Sequence, residues 1–271
     1  LEPGKMFLVS LEEQRIIDDS ELKLGLATSK PYSEWNNEHL HELKDIPVGT
    51  PKPTISGDEL VRQQLAFGYS IEDLKYILGP MMSLGEESIG SMGTDTPLAV
   101  LSDEHNLLYN YFQQLFAQVT NPPLDAIREE IVTAVDTVLG PEGNLLDRNL
   151  PDIDLVKLKS PIIDNSDMAK IIGLQSDQRF GTTVLSMLFD IEAGDEGIDR
   201  GMRQLFSDAD HAIESGSRIL VLSDRGIDET WAPIPALLAI SGLHHHLVRE
   251  KKRAEVALVV ETGEAREVHH F

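Results

Sequence analysis

Two continuous apolar runs separated by a helical stretch constrain the fold of this 271-residue chain more than any other feature of its sequence. Residues 219–222 and 256–260 lack the polar alternation of a half-exposed strand, and such runs are typical of parallel strands covered on both faces. Between them, apolar residues recur at helical spacing over residues 235–250. The order strand, helix, strand predicts a βαβ unit, and such crossovers are almost always right-handed.

The loops that follow these two predicted strands carry polar side chains beside glycines. Asp224 and Arg225 follow the first strand, and Glu261 and Glu264 follow the second. Ligands of open α/β sheets bind at the carboxyl ends of the strands, so these four residues form a candidate polar site. Asp and Gly are also common turn residues, and an Asp beside an Arg is usually a structural ion pair. Ordinary turn chemistry is therefore the simpler interpretation of the same residues.

The composition excludes several classes of function. A formal charge of −23 argues against non-specific binding to nucleic acid or to an anionic membrane, because both require clustered Lys and Arg. The absence of cysteine excludes disulfides, Cys-ligated zinc or iron–sulfur clusters, and a Cys nucleophile within these residues. No apolar run approaches the roughly 20 residues that a membrane-spanning helix needs.

Two further patterns suggest sites at first sight. Residues 244–246 are consecutive histidines, which point about 100° apart on a helix, whereas helical zinc pairs require i and i+4 spacing. Residues 85–93 are rich in glycine but lack the lysine of a phosphate-binding loop, and their acidic members repel phosphate. We therefore predict no metal site and no catalytic signature, and we interpret the glycine-rich stretch as an ordered loop that contacts another domain.

The whole chain is predicted to be α/β, with an open, mainly parallel sheet flanked by helices and a small N-terminal extension. The predicted strands of this sheet lie near residues 98, 184, 219 and 257. The clearest other elements are a hairpin over residues 5–18 and helices over residues 106–118, 125–139 and 197–215.

A proline-rich segment predicts where the chain divides. Residues 46–56 contain three prolines and a glycine, a composition typical of a linker. The chain is therefore predicted to consist of residues 1–45, this linker, and residues 57–271. It does not begin with Met, and residues 268–271 resemble a helix that continues, so we interpret the chain as a segment of a longer polypeptide.

Several sequence blocks, taken in order, resemble the large (α) subunit of glutamate synthases, which are ferredoxin- or NADPH-dependent. They are PGKMFLV (3–9), RIIDD (15–19), RQQLAFGY (62–69), GSMGTDTP (90–97), YFQQLFAQVTNPP (111–123), LSDRG (222–226) and VETGEAREVHH (260–270). The resemblance covers essentially the whole chain. It implies that residues 1–45 are the tail of the glutamine amidotransferase (glutaminase) domain and that residues 57–271 belong to the central domain, which continues beyond Phe271 in the family.

The resemblance also implies a role for the segment. In this family an N-terminal Cys nucleophile releases ammonia from glutamine, and the ammonia travels through an internal tunnel to an FMN domain. There 2-oxoglutarate is converted through 2-iminoglutarate to glutamate. The FMN and an iron–sulfur cluster lie outside this segment, for which we expect no catalytic, cofactor-binding or metal-binding residue.

The expected partners are the glutaminase and FMN-binding domains of the same polypeptide, together with ferredoxin or an NADPH-dependent small subunit. The expected location is the cytoplasm, or the plastid stroma in a plant or alga. Small and hydroxyl-bearing residues suit a loop that meets the tunnel or a neighbouring domain. The candidates for that loop are Ser91, Gly93, Thr94, Asp95 and Thr96.

Two alternatives remain open from the residues alone. One is an independent α/β enzyme or small-molecule-binding domain that uses the Asp224 and Glu261 loops. The other is a pure interface domain, whose exposed apolar area would indicate missing neighbours.

Overall fold

A computed structural model of the chain describes residues 2–49, 55–86, 88, 98–103, 105–112, 123–144, 146 and 153–271. The strands are β1 (Leu8–Ser10), β2 (Arg15–Ile17), β3 (Leu40–Glu42), β4 (Thr137–Leu139), β5 (Leu155–Leu158), β6 (Thr182–Ser186), β7 (Leu188–Asp190), β8 (Ile219–Ser223), β9 (Trp231–Pro233) and β10 (Ala257–Glu261). The α-helices are α1 (Asp19–Ala27), α2 (Tyr32–His39), α3 (Asp58–Ala66), α4 (Gly79–Leu84), α5 (Glu129–Val132), α6 (Asn165–Gly173), α7 (Gly197–Glu214) and α8 (Ala236–Arg249), and a π-helix spans Asp73–Leu78.

The main sheet is parallel and has the order β10-β8-β6. Ile219 pairs with both Ala257 and Thr182, which sets the register of all three strands. All five residues of β8 are buried, as the continuous apolar run at residues 219–222 predicts. The chain passes from β8 through α8 to β10, so the predicted βαβ unit and the α/β fold class are confirmed.

Each face of this sheet is covered by a different layer. On one face, α7 and α8 bury residues at helical spacing against Leu220 and Leu222. On the other face, α6 packs against Ile219 and Val221 together with a small sheet of order β3-β5-β4. The two layers exclude water from both faces of β8, which explains why its four consecutive apolar residues are stable there.

The small sheet incorporates a segment close to the N-terminus. Strand β3 pairs in parallel with β5, and the residues that follow it place Leu43 and Ile46 in the same core as Val221. Gly49 lies so close to α6 that an added Cβ would be 2.3 Å from the carbonyl oxygen of Ala169. The division of the chain at residues 46–56 stays a prediction, and residues 50–54 lie outside the described residues.

The predicted N-terminal hairpin is confirmed. β1 and β2 pair antiparallel, and Asp18 then caps α1 by accepting a hydrogen bond from the backbone N–H of Ser20. No residue from 2 to 42 is buried, although β1, β2 and α1 carry many apolar side chains.

The predicted helix over residues 125–139 is wrong for most of its length. Only Glu129–Val132 is α-helical, and Thr137–Leu139 forms β4, which pairs antiparallel with β5. The apolar stripe that suggested a long helix is exposed: Ile127 is 89% and Ile131 78% accessible. Because no described element covers that stripe, the periodic pattern has no packing energy to stabilise a longer helix.

Two other predictions in the middle of the chain are also corrected. The strand expected near residue 98 is a 3₁₀ turn at Ala99–Leu101, in which only Ala99 is buried. The helix expected over residues 106–118 is a 3₁₀ turn at Leu108–Tyr111 followed by extended backbone at Phe112, and residues 113–118 lie outside the described part. Within the described residues, each of these two turns buries a single side chain, Ala99 and Tyr109 respectively. Among the described residues, no helix has both the length and the apolar character needed to cross a bilayer.

Candidate functional site

The two predicted polar loops meet at the carboxyl ends of β8 and β10. The side chain of Glu261 accepts hydrogen bonds from Ser223 Oγ and from Arg225 Nε, both at 2.6 Å. The Glu261 side chain is only 10% exposed, whereas that of Arg225 is 32% exposed. Arg225 and Glu261 are thus a partly buried ion pair, in which each charge compensates the other.

Asp224 is turned into the protein and binds the neighbouring loop. Its residue exposure is 5%, and its Oδ2 accepts the backbone N–H of Gly263 at 2.8 Å. Burial raises the pKa of Asp224 above its ordinary value, and the nearby Glu261 carboxylate adds to the effect, while bonds from Thr262 and Gly263 oppose it. Asp224 therefore joins the loop after β8 to the loop after β10.

Glu264, the fourth predicted residue, binds the N-terminus of α8. It is 6% exposed, and its Oε2 accepts the backbone N–H of Ala236, the first residue of α8, at 2.8 Å. A carboxylate at this position satisfies an otherwise unpaired N–H and interacts favourably with the helix dipole. Burial nevertheless raises the pKa of Glu264.

A pocket of about 270 Å³ lies between these loops and α3. Asp224, Arg225 and Glu261 line it from the strand ends, and Gln63 and Phe67 line it from α3 and its C-terminal end. The pocket is at the place where open α/β sheets bind ligands, although Arg225 and Glu261 are already paired with each other and Asp224 is bound to the Gly263 backbone.

Arg266 lies near Glu261 and Glu264 in the sequence, but the structure gives it partners elsewhere in the chain. Its side chain is 4% exposed and pairs with Asp73 at 2.9 Å, a residue 193 positions away in sequence. The same guanidinium donates to the carbonyl oxygens of Phe67 and Gly68, and it lies over the Tyr69 ring at 3.7 Å. The sequence shows Arg266 near Glu261 and Glu264, which suggests the wrong carboxylates as partners.

A second set of contacts fixes the same segment to the loop after β10. The Tyr69 hydroxyl donates to the carbonyl oxygen of Gly263 at 2.7 Å. The ring of Phe67 packs so closely on Gly263 that an added Cβ would lie 2.7 Å from it. Together with Arg266, these contacts hold residues 67–73 against the carboxyl end of the sheet.

Two of the three histidines of α8, His244 and His246, form hydrogen bonds with different partners. His246 accepts or donates a hydrogen bond with Asp210 at 2.8 Å and stacks on Phe206. His244 Nδ1 accepts from Arg253 Nε at 3.0 Å. In the described ranges, no three His, Cys, Asp or Glu side chains are grouped so that they could hold a metal ion.

The other predicted site lies outside the described residues. It consists of Ser91, Gly93, Thr94, Asp95 and Thr96.

Comparison with protein-family models gives two matches along the chain. The model described as the glutamate synthase central domain matches residues 62–271. The model described as class-II glutamine amidotransferases matches residues 1–35.

Curated relatives agree with these matches. The chain is 44% identical over 271 residues to the glutamate synthase [NADPH] large chain of Bacillus subtilis. It is 38% identical to the glutamate synthase [NADH] of Saccharomyces cerevisiae and 36% identical to the chloroplastic ferredoxin-dependent glutamate synthase 2 of Arabidopsis thaliana. Each alignment covers the whole chain but only 17%, 13% and 17%, respectively, of the relative's length.

Proposed function

Because the chain belongs to the glutamate synthase central domain family, we propose that it is the connecting segment of a glutamate synthase large chain. The proposed divisions are residues 1–45 as the tail of the glutaminase domain, 46–56 as linker and 57–271 as central domain. The parent enzyme makes glutamate from glutamine and 2-oxoglutarate. The observation that carries this proposal is that one chain matches two family models in this order.

The exposed N-terminal extension supports this arrangement. Apolar side chains of β1, β2 and α1 are largely accessible; Phe7, Leu11, Ile16 and Leu24 are 57%, 86%, 62% and 64% exposed. Large apolar side chains exposed in this number over one short region suggest an interface with a missing neighbour. The remainder of the amidotransferase domain is the neighbour that the match to residues 1–35 suggests.

The contacts at the strand ends support a structural role for the segment. Arg225 pairs with Glu261, Asp224 binds the Gly263 backbone, and Glu264 caps α8. Since these charged groups hold protein segments together, the region is suited to act as a rigid spacer. A rigid spacer keeps the glutaminase and FMN-binding domains in register, and the segment itself carries out no chemistry.

The finer parts of the proposal concern the tunnel, the cofactors and the partners. The loop from Ser91 to Thr96 walls part of the ammonia tunnel, where a path with little water keeps ammonia neutral and nucleophilic. FMN binds in the FMN-binding domain of the parent. The iron–sulfur cluster also binds elsewhere, since no cysteine is present here to ligate it. Ferredoxin or an NADPH-dependent small subunit supplies electrons, in the cytoplasm or in a plastid stroma.

The tunnel proposal is tested in the whole large chain with Thr96→Val. We expect glutamine hydrolysis to exceed glutamate formation, whereas the unchanged enzyme makes the two products in step. The exposed Thr133→Val is the matched control and should preserve the ratio. If Thr96→Val left the ratio of glutamine hydrolysed to glutamate formed unchanged, the proposal that this loop lines the tunnel would be wrong.

A second candidate function rests on the pocket of about 270 Å³ beside Arg225 and Glu261. In this alternative the chain is a small-molecule-binding domain. A metabolite that binds there would raise the melting temperature of the chain by mass action, and Arg225→Ala would abolish the rise.

A further inference from the structure

Strand β10 forms one edge of the main sheet, and half of its backbone groups point away from β8. Ala257 N–H donates to the Arg218 carbonyl oxygen on the β8 side at 2.9 Å. Because successive residues of a strand direct these groups to opposite sides, Leu258 and Val260 direct theirs to the outer edge. Within the described ranges, nothing hydrogen-bonds to the backbone N–H or C=O groups of these two residues.

The outer edge opens on a cavity of about 530 Å³. Its wall opposite β10 is mainly apolar and includes Leu139, Leu158, Ile162 and Met168. Ile162 is 61% exposed in spite of its position beside the core. Leu258 and Val260 are half-buried. An edge strand with unpaired N–H and C=O groups is a ready site for pairing with another strand, so the apolar cavity beside this edge marks an incomplete interface.

The order of the strands shows what would complete it. The chain runs β6, α7, β8, α8, β10, and each new strand joins the outer edge of the preceding one. Both helices pack on the same face of the sheet. One further unit of the same kind would place its strand against the outer edge of β10, parallel to it.

We propose that the outer edge of β10 and the adjoining cavity, here called the β10 groove, bind a further apolar β-strand from another part of the same large chain. The inference rests on the proposed function, because the relatives are several times longer than this chain. Main-chain hydrogen bonds to Leu258 and Val260 supply the pairing, and alternate side chains of the added strand fill the cavity.

A second copy of this chain is a poorer occupant of the β10 groove. Each copy carries a formal charge of −23, so two copies repel one another as they approach. An isolated small polar ligand would leave the apolar wall around Ile162 unfilled.

The test is hydrogen–deuterium exchange, read at single-residue level, on the intact glutamate synthase large chain. Val259 is the internal control, because its N–H faces β8 in either case. We expect the exchange rates of the Leu258 and Val260 amides to be within about tenfold of the rate of the Val259 amide. Exchange more than about 100-fold faster than Val259 would overturn the proposal, and so would protection that disappears on dilution, because that would indicate a second copy.

A variant pair tests the groove itself. Ile162→Asp places a charge in the β10 groove and should speed exchange at Leu258 and Val260 by at least about tenfold, with Val259 unchanged. The control Ile127→Asp, at an 89% exposed position away from the groove, should leave all three amides unchanged. Unchanged exchange in Ile162→Asp would overturn the assignment of the groove.

The proposed function is tested by a separate measurement, the activity of the isolated chain. A wrong groove assignment and a wrong proposed function would therefore give different results.

Discussion

Arg266 joins parts of the sequence that no local pattern connects. Its guanidinium binds Asp73 and two backbone carbonyls, and it stacks on Tyr69. We expect Arg266→Met to lower the free energy of unfolding by about 3 kcal/mol or more, because it leaves buried acceptors without donors. Arg266→Lys should recover only part of the loss, since an ammonium lacks the planar fork and the stacking surface.

Urea unfolding measures these differences, and the exposed Arg249→Met is the matched control, with little expected effect. Equal stability of the Arg266 and Arg249 variants would contradict the role given to Arg266.

Close packing between Gly263 and Phe67 gives a second prediction at this scale. An alanine Cβ would lie 2.7 Å from the Phe67 ring, so Gly263→Ala should destabilise the chain by about 1–3 kcal/mol. In a Phe67→Ala background the same change should cost much less, which a double-mutant cycle measures. Gly25→Ala, where an added Cβ meets nothing within 4 Å, should be neutral or slightly stabilising. Additive effects of the Gly263 and Phe67 changes would refute the contact.

Asp224 gives a prediction about pH. Burial raises its pKa above the ordinary value of 3.8, so between that value and the raised pKa the folded state binds more protons than the unfolded state. Its contribution to stability is therefore greatest at low pH and falls as pH rises through that window. Relative to the unchanged chain, Asp224→Asn should gain stability as pH rises from about 4 to about 7. Parallel stability profiles of the two proteins would show that Asp224 does not titrate in this way.

The sequence alone predicted that Asp224 and Glu261 lie close together, but not which groups they bind. Asp224 and Glu261 follow paired parallel strands, so the strand pattern alone brings them to one edge of the sheet. The partner of Arg266 and the capping of α8 by Glu264 depend on packing between distant segments, which no spacing rule contains. Local patterns therefore locate the site but do not give its hydrogen bonds.

At the scale of elements, β3 ties the N-terminal region to the core of the main sheet. Leu43 and Ile46, which follow it, are 7% and 8% exposed and pack in one cluster with Ile171. We expect Leu43→Ala or Ile46→Ala to lower the free energy of unfolding by about 2–4 kcal/mol through loss of buried contacts. Leu26→Ala, at a 57% exposed position in α1, should change it by less than about 0.5 kcal/mol.

Thermal or urea unfolding of the three variants decides this question. If Leu43→Ala were as mild as Leu26→Ala, residues 43–46 would not belong to the core.

The long buried elements could be predicted and the short ones could not. β8, α8 and β10 each bury most of a face, so the spacing of their apolar residues predicts the type of element correctly. The stripe at residues 125–139 has helical spacing, but its apolar residues stay exposed and its last three residues pair with β5 instead. Tertiary pairing, which propensity does not encode, determined that outcome.

At the scale of the whole molecule, two of the uncovered surfaces among the described residues bear on how the chain packs. The N-terminal extension exposes apolar side chains over residues 2–42, and the β10 groove exposes unpaired backbone groups at Leu258 and Val260. Both surfaces are expected of a segment that packs between other parts of a larger polypeptide. The two family models match residues 1–35 and 62–271, so most of the extension lies within one match and the β10 groove lies within the other.

The most direct test of the central claim is an assay of the 271-residue chain for glutaminase and glutamate synthase activity, with flavin absorbance recorded on the same sample. The intact large chain with its electron donor is the positive control. If the chain only connects two active sites, as proposed, we expect neither activity nor bound flavin in the isolated chain. Either activity, or retained flavin, would show that residues described here as structural carry chemistry.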